Sequence, residues 1–202
     1  LGAITPFLER TLKGASRCWD IGAAPMGEEA HALAEDVWKT CIKLGGEVRA
    51  FEPSAKGYSK LLEAGSELSE LPGTMTVHKL AFSNFSGEAS LTRAGHNTAS
   101  LGRKGCGLWL DAKECEGPAD WEEVEVTSVD KELGASGSLE VLKVDVEGEE
   151  WSVLLGAQKA LDEGRIGLVI IEYGDKWSED TALASKQFWS VFHHHGDPGK
   201  LF

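Results

Sequence analysis

"LEVLKVDVEGEEW", residues 139–151, starts as a core strand and ends in a crowd of acids. Leu139, Val141, Leu142, Val144 and Val146 predict a β run, and a helix is predicted to follow from Glu149. A strand this apolar is covered on both faces, as in a parallel sheet flanked by helices. Such sheets bind ligands beyond the carboxyl ends of their strands, which is where Asp145 stands. Glu149 and Glu150 read as surface acids complementing the helix dipole. Asp145 and Glu147, two residues apart at the strand tip, read instead as candidates for chemistry.

Outward from this unit the same alternation recurs. Residues 17–21, 47–51, 76–82 and 166–173 read as further strands, and 27–43 and 54–64 as helices, the latter with Ser54 as N-cap. Residues 149–161 are predicted as one helix, with others at 5–13 and 180–194. Two segments, 87–92 and 122–127, alternate apolar and polar like half-exposed strands, and the Gly-rich stretch 93–121 between them shows no period. Strands alternating with helices imply β-α-β units and a doubly wound, mainly parallel α/β sheet.

At 202 residues the chain is expected to form a single domain over 1–202. It begins at Leu1 rather than methionine, so the expectation is a domain cut from a longer chain. Residues 1–13 are too poor in apolar residues for a signal peptide. No apolar run reaches the roughly 18 residues that a membrane helix requires. The net charge of −13 argues against nucleic-acid or anionic-membrane partners. Cys18, Cys41, Cys106 and Cys115 form no C-x-x-C pair and read as reduced structural thiols, which favours a cytoplasmic setting. Cys106 and Cys115, sharing one loop, are the pair to watch in an oxidising compartment.

The first strand-to-helix turn, "WDIGAAPMGEEA" at 19–30, is rich in small residues. Gly22 lets the chain reverse and Gly27 lets the helix approach, and Ala23 and Ala24 between them are candidate cofactor-binding positions. A dinucleotide-binding turn looks similar, but Asp20 at the strand tip, with Glu28 and Glu29 in the helix start, would repel a pyrophosphate, although Glu28 and Glu29 read more readily as ordinary complements of the helix dipole. Those acids suit a ligand with an ammonium and a sulfonium, S-adenosylmethionine. Glu52, ending the second strand in "AFEPS", is placed to accept both ribose hydroxyls of an adenosine. Ala81, Phe82 and Ser83, after the third strand, are expected to flank the adenine, with Phe82 equally readable as core.

These residues lie in segments that resemble one family. "DIGAAPMG", "VRAFEPS", "VHKLAFSNFSGEASL", "NTASL", "VEVTSVD" and "LKVDVEGEEW" followed by "LLGA" are similar, in order and spacing, to the pattern of FkbM-type methyltransferases. The resemblance covers about residues 16–175. It implies a Rossmann-like fold of the class I methyltransferase type, S-adenosylmethionine as cofactor, and methylation of hydroxyl oxygens on sugars and natural products. On matching positions it assigns Asp20, Gly22 and Glu52 to the cofactor, and Asp145, Glu147 and Gly148 to the acid motif. Ala24 and Pro25 depart from the asparagine usual in the first loop. The antiparallel strand pair expected at the C-terminus of this class finds no counterpart after His194 and is expected to be missing or to lie beyond Phe202.

Rival readings are a nicotinamide-dependent oxidoreductase and a non-catalytic binding domain. No metal is expected: Asp145, Glu147 and Glu172 have no histidine placed beside them, and His193–His195 read as a helix end. Residues 95–101 are candidates for an acceptor lid or for plain surface, and Trp109 and Trp121 for stacking on a sugar or aromatic acceptor or for pinning the loop to the core.

Overall fold

The computed structural model describes residues 5–23, 30–92, 100–103, 106–107, 121–146 and 149–171. The chain runs through α1 (Thr5–Thr11), β1 (Arg17–Ile21), α2 (Ala30–Lys43), β2 (Glu47–Phe51), α3 (Ala55–Ser66) and β3 (Thr74–His78). It continues as β4 (Ala81–Phe82), β5 (Gly87–Thr92), β6 (Ser100–Arg103), β7 (Cys106–Gly107) and β8 (Trp121–Thr127). The last described elements are α4 (Val129–Leu133), β9 (Leu139–Val144), α5 (Glu150–Leu155), α6 (Gln158–Asp162) and β10 (Ile166–Ile171).

Five strands form a parallel sheet in the order β10-β9-β1-β2-β3. β1 lies at the centre, where the strand order reverses, which is the switch point at which sheets of this kind open a ligand crevice. Alternation along each strand sends side chains to two cores. On one face Cys18, Val48, Ala50 and Val141 meet Val37, Trp38, Cys41 and Ile42 of α2, Leu61 of α3, and Leu8 and Leu12 around α1. On the other, Trp19, Ile21, Phe51, Leu142 and Val144 meet Phe82, Val129, Val153 and Ala157. The parallel doubly wound reading therefore holds, and both faces are covered.

A second sheet, in the order β4-β8-β5-β6-β7, pairs β4 with β8 in parallel and the others antiparallel. It accounts for the alternating segments at 87–92 and 122–127. It also corrects the expected strand at 76–82. The chain leaves the first sheet at His78 and joins the second at Ala81, because Ala81 and Phe82 pair with Val126 and Thr127 instead of continuing beside β2. The aperiodic stretch likewise contributes two short strands, β6 and β7.

The helix expected over 149–161 is two. Gly156 lies against the Ser83 carbonyl so closely that a Cβ would approach it to 2.2 Å, and its own carbonyl accepts from Asp130 N at 2.8 Å. The helix restarts because Asp130, in α4, accepts from Lys159 N at 2.9 Å and Ala160 N at 2.8 Å, satisfying two amides that a helix start leaves unpaired. Cys18 and Cys41 are buried free thiols, with Cys18 Sγ 2.8 Å from Cys41 Sγ. That hydrogen bond, and then burial, push the Cys18 thiol up. Among the described residues no helix is long and apolar enough to cross a membrane.

Candidate functional site

Three strand ends are tied together at the carboxyl edge of the main sheet. Gly22 N and Ala23 N both donate to Phe51 O at 3.0 Å, and Asp145 N donates to Ile21 O at 2.9 Å. Gly22 adopts φ +80°, and a Cβ there would stand 1.7 Å from the Asp145 carbonyl oxygen. Both the left-handed backbone and the close approach require glycine, which joins the first turn to the acid motif that sequence placed 123 residues away. Ala23 is buried at the same junction.

Asp20 stands near the end of β1, as expected, but its side chain does not face outward. Its side chain is 0% exposed, turned toward α2 rather than outward. Oδ2 accepts from Trp38 Nε1 at 2.8 Å and Oδ1 from Lys143 Nζ at 3.1 Å. Lys143 stands directly opposite Asp20 in the β1–β9 register and is itself almost fully buried. Its ammonium also reaches Asp145 Oδ2 at 3.2 Å. Burial works against the Lys143 charge, but the two carboxylates outweigh it and hold the ammonium above its ordinary value. The physical reason for the correction is desolvation: a carboxylate at this depth requires a partner, and Lys143 meets it. Neither Lys143 nor Trp38 was singled out by sequence. A lone lysine inside the apolar run "LEVLKV" was the available signal.

Asp145 keeps its place at the strand end. Its side chain is 17% exposed, Oδ2 is held by Lys143, and Oδ1 takes no hydrogen bond from any described residue. The acids that follow are not surface groups. Glu149 and Glu150 are 4% and 2% exposed. Glu150 Oε1 accepts from Val146 N at 3.0 Å, closing the turn after Asp145 over an amide that would otherwise lack a partner. Burial pushes the Glu149 carboxyl up, with a Ser152 hydrogen bond opposing it.

Glu52 stands at the tip of β2, 7% exposed, its N donating to His78 O at 3.0 Å. Oε1 accepts from Ser54 N at 2.9 Å and Ser54 Oγ at 2.5 Å. Oε2 takes no hydrogen bond from any described residue. Burial pushes the carboxyl above its ordinary range; the Ser54 hydrogen bonds oppose this, and the charges of Glu122 and Asp20 add to it. A half-satisfied carboxylate at a ligand edge is poised to accept from hydroxyl donors.

Ala81, Phe82 and Ser83 are 3%, 1% and 2% exposed. The Phe82 ring packs edge-on against Phe51 at 4.7 Å and lies 6.1 Å from Trp19, while Ser83 N donates to Thr127 O at 2.9 Å. These three residues join the second sheet to the core, because β4 pairs with β8. Ala24, Gly27, Glu28, Glu29, Glu147, Gly148, Glu172 and His193–His195 lie outside the described residues, as do the Cys115 and Trp109 positions. Among the described residues no group of His, Cys, Asp or Glu is arranged to hold a metal.

This weave of β1, β2 and β9 ends lies inside the region matched by a family model described as the Methyltransferase FkbM domain, residues 20–197. The chain belongs to the FkbM methyltransferase family. Its Rossmann-like fold agrees with a solved structure, the methyltransferase FkbM from Methylobacillus flagellatus KT. The two are 16% identical with a TM-score of 0.55, over 90% of this chain and 38% of the other. The FkbM domain here thus spans well under half the length of that relative. No curated protein sequence matches it.

Proposed function

We propose that this FkbM domain binds S-adenosylmethionine across the carboxyl ends of β1, β2 and β9 and directs its methyl group to a hydroxyl oxygen of a small acceptor, a sugar or natural-product-like molecule. The observation that carries the reading is Glu52 at the tip of β2, whose Oε2 takes no hydrogen bond from any described residue while Oε1 is engaged by Ser54. Two lone pairs on one fixed oxygen suit the two hydroxyls of an adenosine ribose. Family membership supports methyl transfer over hydride transfer. Asp20 no longer separates those readings, because Lys143 already neutralises it and its charge would repel a pyrophosphate little.

When bound, S-adenosylmethionine supplies a methyl carbon activated by its sulfonium, so positioning of the acceptor contributes much of the effect. Asp145, whose Oδ1 takes no hydrogen bond from any described residue, holds the acceptor hydroxyl and takes its proton at that oxygen, and Glu147 orients the acceptor. Gly22 and Ala23, locked to Phe51, set the loop against which the ligand rests. Asp20 acts at one remove, by holding Lys143 against Asp145. The net charge of −13 supports a small neutral or cationic acceptor over a polyanion.

Calorimetry tests the assignment. If Glu52 accepts two charge-assisted hydrogen bonds, at about 1.5–3 kcal/mol each, Glu52→Ala weakens S-adenosylmethionine or adenosylhomocysteine by about a hundredfold or more with circular dichroism unchanged. Equal affinity in the variant and the wild type removes the ribose assignment.

A further inference from the structure

Glu52 does not hold its own orientation; the first turn of α3 does. Ser54 donates to Oε1 through both its backbone N and its hydroxyl, while the same hydroxyl accepts from Gly57 N at 3.0 Å and caps the helix. Gly57 is the complementary feature. A Cβ there would stand 2.7 Å from Glu52 Cγ, Cδ and Oε1, so the carboxylate lies across the space that a side chain would fill. Ala55 N, the next amide, is taken by both oxygens of Glu122 from β8 at 3.0 and 3.1 Å, and Glu122 is in turn held by Lys79 at 2.6 Å. The amides of Ser54, Ala55 and Gly57 therefore all point at protein acceptors. A helix start with free amides accepts phosphate, and at this one the amides of Ser54, Ala55 and Gly57 are already engaged.

We infer that Ser54, seated with Gly57, is a positioning residue that turns Glu52 so that its other oxygen, Oε2, reads an unphosphorylated ribose diol. The inference rests on the adenosine reading and adds to it the device that sets the preference for a free diol. A hydroxyl at position 54 is required for aim, beyond its value as a helix cap. Ser54→Ala leaves Oε1 with the backbone donor alone, and the carboxylate then has a second orientation available.

The test compares adenosylhomocysteine with its 2′,3′-dideoxy counterpart, by calorimetry, on the wild type, Ser54→Ala, Ser54→Gly and Ser54→Thr. The wild type is expected to prefer the diol. Ser54→Ala should lose about tenfold in affinity for the diol ligand, the worth of aiming one charge-assisted hydrogen bond, and little for the dideoxy ligand. Ser54→Thr, keeping the hydroxyl, should restore the preference. Ser54→Gly, which costs a helix cap only a few tenths of a kcal/mol, provides a folded hydroxyl-free variant should Ser54→Ala prove unstable, and is expected to behave as Ser54→Ala. Equal loss for both ligands overturns the inference while leaving the ribose contact standing. A wild type that binds the two ligands equally, or neither, overturns the ribose contact itself and the inference with it.

Discussion

A buried carboxylate with one engaged and one open oxygen is a local compromise between stability and binding, and at Glu52 the compromise is measurable. Burial is the largest influence on it and raises its titration range above that of the unfolded chain. The folded state then binds the Glu52 proton more tightly than the unfolded state does. Stability attached to this group accordingly falls as pH rises through the raised range, and above it the charged form is buried at full cost. Glu52→Gln keeps an oxygen for Ser54 and carries no charge. The ligand-free variant is expected to melt above the wild type at neutral pH and higher, and the gap should close as pH is lowered through the raised range. Thermal unfolding of both proteins across pH checks this; a gap that does not change with pH would show that Glu52 is not the cause. Residue-scale chemistry was legible in part. Gly22, Glu52 and Asp145 stand at strand ends, a position that apolar runs bounded by turn residues reveal. The burial of Asp20 was not legible, because a carboxylate on that face is tolerated only with Lys143, whose place opposite Asp20 is a matter of tertiary register.

Elements were read well where their signals were local. β1, β2 and β5 were anticipated with the boundaries observed, and the Ser54 cap of α3 is present. The failures share one cause: a neighbour distant in sequence interrupted a continuous pattern. "TMTVHKLAF" carries no glycine or proline to mark where the chain changes sheets. Residues 149–161 keep a helical pattern through Gly156, where the fold packs the Ser83 carbonyl. α6 exists as a separate helix because Asp130 caps it from α4, and no side chain of its own does so. Asp130→Ala is therefore expected to destabilise the domain by about 1 kcal/mol, the usual worth of such a cap. That corresponds to a melting temperature lower by about 2–4 °C for a chain of this size. A melting temperature within error of the wild type would mean that α6 is held by packing of Ala157 and Ala160 alone.

At the scale of the molecule, the Asp20–Lys143 pair joins the first strand of the sheet to the fourth. Asp20→Asn removes one charge of a fully buried pair yet leaves Lys143 with Asp145, so the loss should fall toward the lower end of the roughly 3–5 kcal/mol seen when buried pairs are broken. Urea unfolding should show a lower midpoint with an unchanged slope. The folded fraction should bind adenosylhomocysteine as the wild type does, because Asp20 has no surface with which to touch a ligand. Weaker binding without lost stability would return Asp20 to the ligand and reverse this reading.

The same pair bears on how the chain reaches its native state. Asp20 of β1 is separated from its partner cation by 123 residues of chain. Until β9 docks, closing α2 over β1 would bury Asp20 with Trp38 as its sole donor, a state that desolvation disfavours. Closing α2 over β1 ahead of β9 is thereby disfavoured. Docking of β9 supplies the Asp20 partner and brings Asp145 against Gly22 at once, so the candidate site and the core of the central sheet depend on the same strand.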